Sequence, residues 1–406
     1  IQRIMKKALI VTIFIFFSGL IVSCKQMRGI TMPAEQKHNI EANINGLGND
    51  TIIVSYIPLS KMDGVTEPIH DIIHSNNGHF AYDTPIQEPI MLYIFSKKGE
   101  FIRRSGHPYR PDEKYIVVLL RPDDKLTIQG ELKELFIDYQ IKGSEFNEQY
   151  AQVRKGFIEE NSKAVSLELE LDSLPSNSAN IELINELFKK RNDIYKISRT
   201  TILGYIRNNL NKELSAYYLS RQPLAILGEY YNELSVDVRN GLFKNALDNR
   251  YNTFRKFTKA KEAELKIKEG EIAPNFVLQS LSGDFSLADV KNRYIILDFW
   301  GSWCPPCIKG FPKMKEYYSK YKDRVEFIGI DCNEAEEKWR NAVQKYELPW
   351  TQVINASDIN EDVSVMYGIQ NFPTKIILDK DMRIIAKYIG ETDEFYKKLD
   401  ELMLTK

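Results

Sequence analysis

Histidine is scarce and confined to the start of the chain. His38, His70, His74, His79 and His107 are the five, and none follows. Chemistry carried by the rest of the chain therefore runs without an imidazole base or ligand. Cysteine is nearly as rare, with only Cys24, Cys304, Cys307 and Cys332. So few thiols in 406 residues exclude a disulfide-stapled scaffold. They also exclude a four-cysteine zinc centre unless Cys24 travels far from its place in sequence. Net charge is missing too: Lys+Arg 55 against Asp+Glu 56 gives −1. That removes the basic footprint of a nucleic-acid binder, and no nucleic-acid partner is expected. What remains, 43% hydrophobic and 27% charged, is globular, and its length suits roughly two or three domains.

Long apolar runs are also lacking, except at the N-terminus. Arg3, Lys6 and Lys7 precede an uncharged stretch from Ala8 to Cys24, and Met5 opens the basic part. A basic n-region followed by a short apolar h-region is the pattern of a signal peptide. The run is shorter than the ~20 apolar residues of a spanning helix. Its end, Ile21-Val22-Ser23-Cys24, resembles a bacterial lipobox. The resemblance implies a signal peptide over 1–23 and lipid attachment at Cys24. The expectation is a membrane-anchored lipoprotein of the cell envelope, facing the periplasm. An ordinary cleaved signal or an uncleaved anchor is the alternative. An envelope location permits disulfide chemistry.

Residues 24–143 read as a β-rich domain. Thr51–Ile57, His79–Tyr82, Ile90–Phe95, Tyr115–Leu120 and Lys125–Gln129 alternate or are rich in β-branched and aromatic residues. Turn-formers separate them, and short, regularly spaced strands predict an all-β sandwich or barrel-like fold. His70, His74 and His79 sit close in sequence, but a hairpin across Asn77-Gly78 would scatter their side chains, so no metal site is expected. Residues 144–266 change to helical spacing, over Glu145–Glu160, Asn180–Lys196, Ser198–Asn211 and Val236–Leu265. This part carries no chemistry and reads as a helical connector.

Residues 267–406 alternate strands and helices: strand Tyr294–Trp300, helix from Pro305 to about Lys320, strand Val325–Asp331, helix Glu334–Tyr346 and short strand Thr351–Ile354. A hairpin of Lys375–Asp379 with Arg383–Ile389 and a helix Phe395–Leu404 follow. That order describes an α/β sheet. Between the first strand and its helix lies Trp303-Cys304-Pro305-Pro306-Cys307. Two cysteines three apart at a helix start can meet sulfur to sulfur, and the helix N-terminus favours a thiolate. Pro305 suits a first helical turn, where its missing N–H removes no helix bond. Zinc would need two further ligands, with only Cys332 nearby. A purely structural disulfide is the remaining bland reading.

Around this motif residues 270–406 resemble the thioredoxin-fold domain of the TlpA/ResA-like thiol-disulfide oxidoreductases of the bacterial envelope. The residues that carry the resemblance are Gly270, Ala273, Pro274 and Phe276, then Phe299, Trp300 and Trp303 ahead of Cys304, then Phe372-Pro373-Thr374 and Gly390. Asp298 stands where thioredoxins bury an acid, and Pro312 where they kink the active-site helix. The β-rich domain resembles those of undefined role that precede such domains. The Ala-Pro-x-Phe start is shared with AhpC/TSA peroxiredoxins, so a thiol peroxidase is an alternative. The threonine and proline a peroxidatic cysteine requires are absent before Cys304.

The resemblance implies a mechanism. Cys304 attacks a substrate disulfide, Cys307 resolves the mixed disulfide, and Asp298 exchanges a proton with Cys307. Trp303, Pro305, Pro306, Phe372, a cis Pro373 and Thr374 would meet substrate. No cofactor is expected beyond the Cys304–Cys307 disulfide. Phe327 is expected where thioredoxin pairs its buried acid with a lysine, leaving Asp298 without a cation. Pro305 and Pro306 offer no N–H to the Cys304 thiolate, which favours a reductant. Expected partners are disulfide-bearing envelope proteins, cytochrome c apoproteins among them, and an upstream membrane thiol-disulfide donor. A ligand- or partner-binding lipoprotein with a redox passenger domain is the other alternative.

Overall fold

The structure, a computed structural model, describes residues 38–62, 66–175 and 179–404. The expected signal peptide over 1–23 and the lipid-attachment residue Cys24 lie outside the described residues.

The first ten strands are β1 (Ile40–Asn45), β2 (Thr51–Pro58), β3 (Ile69–His74), β4 (His79–Tyr82), β5 (Ile90–Ser96), β6 (Phe101–Ile102), β7 (Pro108–Tyr109), β8 (Ile116–Leu120), β9 (Leu126–Leu132) and β10 (Ile137–Lys142). Eight of them form two four-stranded sheets, β10-β9-β1-β4 and β3-β2-β5-β8. Alternation puts Ile40, Ala42 and Ile44 of one sheet and Ile52, Val54 and Tyr56 of the other into a single core. The Asn77-Gly78 turn forms, but β3 and β4 do not pair as the hairpin predicted. After a single bridge, Asn76 to His79, they part into different sheets. Both strands place apolar residues toward the shared core, which they reach only from opposite sheets.

The helices are α1 (Glu145–Lys155), α2 (Ile158–Ser173), α3 (Ile181–Asn208), α4 (Glu213–Ser220), α5 (Leu224–Tyr230), α6 (Val236–Arg239) and α7 (Lys244–Glu264). The two helices predicted over 180–211 are one, because nothing at Ile197 breaks the apolar stripe. This region does more than connect. Phe146, Leu214, Tyr217 and Phe243 pack with Met91, Val117 and Leu119 on the outer face of β5 and β8. α7 is polar around much of its surface, as a helix bridging two layers tends to be. It packs on the next module through α10 (Val363–Met366).

That module holds β11 (Val277–Ser280), β12 (Gly283–Ser286), β13 (Tyr294–Trp300), α8 (Pro305–Tyr321), β14 (Val325–Asp331), α9 (Glu336–Lys345), β15 (Thr351–Ile354), β16 (Thr374–Leu378), β17 (Ile384–Ile389) and α11 (Asp393–Leu404). The sheet order is β12-β11-β15-β14-β13-β16-β17, with β13, β14 and β15 parallel and β16 antiparallel to β13. β13 is buried on both faces, which explains its unbroken apolar run. Ile296 and Trp300 face α8, α9 and α11, whereas Ile295, Leu297 and Phe299 face α10. Among the described residues no helix is long and apolar enough to cross a membrane.

Candidate functional site

The motif sits where β13 hands over to α8. Cys304 is the N-cap of α8, with Pro305 and Pro306 filling the first helical positions. Neither proline has an N–H, so the first helix donor is that of Cys307, which reaches Cys304 Sγ at 3.2 Å. The two sulfurs are joined in a disulfide. Both cysteines are buried, while Pro305 and Pro306 are exposed beside them. Trp303 is 48% exposed and packs edge-on against Phe372, with ring centroids 5.2 Å apart. Its Nε1 donates to Cys332 O at 2.9 Å. Trp300 by contrast is core.

The Phe372–Pro373 peptide is cis. Pro373 is buried, and its carbonyl accepts from Gly390 N at 2.8 Å. Thr374 does not offer the open surface expected of a substrate contact. It is buried and donates to Asn371 O at 2.7 Å, so it shapes the turn instead. Cys332 is a free, fully buried thiol, and burial, helped by Asp331, pushes its pKa well up.

Asp298 is 4% exposed and does have a cation, contrary to the expectation from sequence. Across β14 it faces Gly329, not Phe327, which lies opposite Ile296. The cation comes from the other neighbour. The β13–β16 register sets Lys375 opposite Asp298, on one face, with Nζ 3.4 Å from Oδ1. Lys375 also donates to Glu391 Oε2 at 2.6 Å, and Tyr396 donates to Glu391 Oε1 at 2.5 Å. Glu391 reaches in because position 310 is glycine. A Cβ on Gly310 would lie 2.4 Å from Glu391 Oε2. Gly310 is three residues after Cys307, so the carboxylate lies on the Cys307 face of α8.

Burial raises the pKa of Asp298, and Lys375 draws it only part of the way back. Burial alone would lower Lys375, but the charges of Asp298 and Glu391 override it and hold the ammonium above its usual range. A second carboxyl, Asp331, ends β14 with no exposed surface. Burial, and then nearby Glu334, pushes it up to about 9. Glu334 does not start a helix as predicted. Its carboxylate accepts from Ser302 N at 2.6 Å and from Ser302 Oγ, tying the loop before α9 to the loop before Cys304.

Lys375, Glu391 and Asp331 were missed in the sequence. The signal for Lys375 was there: a lysine inside a fully buried strand must have an anionic partner. Glu391 and Asp331 gave none, because only tertiary contact brings them to the motif. The His70–His79 cluster and the redox motif lie in different modules. Among the described residues no group of three or more His, Cys, Asp or Glu side chains could hold a metal.

Residues 292–384 match the thioredoxin-like family profile. A thiol-disulfide oxidoreductase ResA of Bacillus cereus is 39% identical over 128 residues, covering 31% of this chain and 72% of its own. The thioredoxin-like protein YneN of Bacillus subtilis is 32% identical over 158 residues, covering 37% of this chain and 87% of its own. The solved thioredoxin domain of a thiol-disulfide oxidoreductase from Bacteroides vulgatus is 31% identical, with a TM-score of 0.32, and covers 33% of this chain and 97% of its own.

Proposed function

The chain belongs to the ResA family of thioredoxin-like thiol-disulfide oxidoreductases, and we propose that it reduces disulfides of exported proteins with the Cys304–Cys307 dithiol. The observation that carries this reading is Cys304 at the N-cap of α8, with the Cys307 N–H directed at its sulfur. A thiolate there gains one hydrogen bond and the positive end of the helix dipole. The two prolines withhold further donors, which keeps the couple on the reducing side.

The thiolate of Cys304 attacks one sulfur of the substrate disulfide. A Cys304–substrate disulfide forms, and the first substrate thiolate leaves. Cys307 then loses its proton and attacks Cys304 Sγ. The second substrate thiolate leaves, and the Cys304–Cys307 disulfide closes. Two electrons pass to the substrate, and its two sulfurs end as thiols. Restoring the dithiol takes two electrons and two protons from an upstream membrane thiol-disulfide carrier.

Asp298 is the group we assign to the Cys307 proton. Its strand face is that of Ile296 and Trp300, which pack in one cluster with Cys307. Its raised pKa brings its titration toward that of a thiol, the match that proton exchange requires. Lys375 and Glu391 position it and bias its charge. Trp303, Pro305, Pro306 and Phe372 form the surface that meets substrate. Cytochrome c apoproteins are one substrate class of this kind, and the lipid anchor at Cys24 would hold the protein at the periplasm-facing membrane. The redox chemistry on this reading needs no cofactor besides the cysteine pair.

Cys304→Ala removes the nucleophile and should abolish insulin disulfide reduction. Cys307→Ala should accumulate long-lived mixed disulfides, visible on non-reducing gels. Labelling of Cys332 before Cys304 by limiting iodoacetamide would overturn the assignment.

A further inference from the structure

A groove of about 540 Å³ runs between α7 and the redox module. We propose that it binds the extended, uncharged polypeptide that flanks a substrate disulfide, so that the helical region takes part in choosing substrate. The proposal rests on the redox function above and adds to it a specificity surface. The volume lies within the roughly 300–1,000 Å³ of binding clefts.

The groove meets the rim of the cysteine pair at Phe372, which lines it and packs on Trp303. One wall carries Asn252 and Phe257 of α7, and the other carries Asn333, Ile369, Gln370 and Phe372. Phe372 packs on Trp303 and precedes the cis peptide. Asn333 follows Cys332, whose carbonyl receives the Trp303 indole N–H. A chain leaving the sulfurs past Phe372 therefore enters the groove directly.

The walls are fixed in relation to one another. Lys256 of α7 pairs with Asp362 at 2.7 Å, and the Asp362 side chain is 1% exposed. Gln370 donates to Glu264 at 2.9 Å. Gly368 lets the modules close: a Cβ there would stand 2.6 Å from the Glu264 backbone. Its φ of 62° is a conformation glycine adopts without strain.

The lining chemistry selects the occupant. Lys256 and Asp362 neutralise one another, so a charged segment finds no free counter-charge. Asn252, Asn333 and Gln370 carry primary amides, each able to donate to a peptide C=O and accept from a peptide N–H. Phe257, 50% exposed, offers a ring to an apolar side chain. Amides for backbone and a ring for side chain suit an extended, uncharged segment. α7 precedes the 292–384 segment that matches the thioredoxin-like profile, so this wall is an addition to the matched part.

The test uses the full chain with Asn252→Trp and, separately, Phe257→Glu. Initial rates are measured with insulin and with hydroxyethyl disulfide, which is too small to span the groove. The ratio of kcat/KM for insulin to that for hydroxyethyl disulfide should fall about tenfold, the loss of one good contact in a binding site. An unchanged ratio in both variants, including one accompanied by a change in oligomeric state, overturns the groove. An unaltered protein that reduces neither disulfide overturns the redox reading beneath it. Where a variant fails to fold, amide exchange of the Cys307→Ser protein trapped on insulin decides. Residues 249–260 should exchange more slowly than in the same protein capped with hydroxyethyl thiol, and equal exchange overturns the proposal.

Discussion

Helix α1 of the upstream module and the strands under the cysteine pair both bury polar side chains, and they use them in opposite ways. Upstream, α1 closes two sheet edges. β8 is an edge strand, and fully buried Asn147 accepts from Leu119 N at 2.9 Å and donates to Leu119 O at 2.7 Å. β10 is the edge of the other sheet, and Arg154 donates to Ile137 O at 2.8 Å. Each satisfies backbone that would otherwise be stranded under helices. In the redox module burial pushes the carboxyl groups of Asp298 and Asp331 toward the protonated form, and Lys375 is shared between two carboxylates. Satisfied groups fix structure. Carboxyls buried with incomplete compensation leave a protonation state open to change; upstream, burial pushes Glu113 up to about 7, and the redox module sets two such groups near its cysteine pair.

The sharpest way to break this contrast is to remove the shared cation. Lys375→Met leaves buried Asp298 and half-buried Glu391 without it, and should cost about 3–5 kcal/mol in urea unfolding at pH 7. A loss under about 1 kcal/mol would mean the three charges are not coupled. Next comes the upstream counterpart. Asn147→Ala strands the N–H and C=O of Leu119 and should cost about 1–3 kcal/mol for each group water cannot reach. Insulin reduction by the folded variant should stay at the parent rate, because no redox group touches Asn147. A fall in rate without a fall in stability would erase the division of labour.

The smallest effect is the most diagnostic. Asp298→Asn should slow decay of a trapped mixed disulfide about tenfold, the low end of acid–base help. Its stability follows from the direction of the pKa shift. The folded carboxyl titrates above the unfolded value of ~3.9, so the native state holds more protons between the two. Parent stability then falls as pH rises through that window, and the variant should gain on it over the same range. Parallel melting curves from pH 4 to 8 would make Asp298 an unperturbed acid, and an unaltered decay rate would leave it a structural one.

Much of the redox module was legible in the sequence. Tyr294–Trp300, Val325–Asp331 and the Cys304–Pro305 helix start came directly from periodicity and proline placement. β11 and β12 were missed because each is four residues long: one of the two buried positions of β11 is Ser280, and β12 fully buries none, which leaves little apolar alternation to read. α4 was missed because it is buried all round, so it has no polar face to give a helical period. The Cys304–Cys307 pairing was legible from spacing, whereas the cis peptide at Pro373 came only from the family resemblance. The cation of Asp298 was sought on β14 because a sequence does not reveal strand order. The register of β16 put it at Lys375 instead.

Which residues could do redox chemistry was readable along the chain, because spacing at one helix start and the placement of two prolines are local matters. The sequence also determined most of the secondary structure around them. Which charges surround Asp298, and that α7 walls a groove beside Phe372, came from packing alone. Those contacts join residues up to 123 apart, as in the pocket that spans 249 to 372. They exist only because sheet register and helix packing carry distant side chains to one place, and no periodicity along the chain encodes a distance through space.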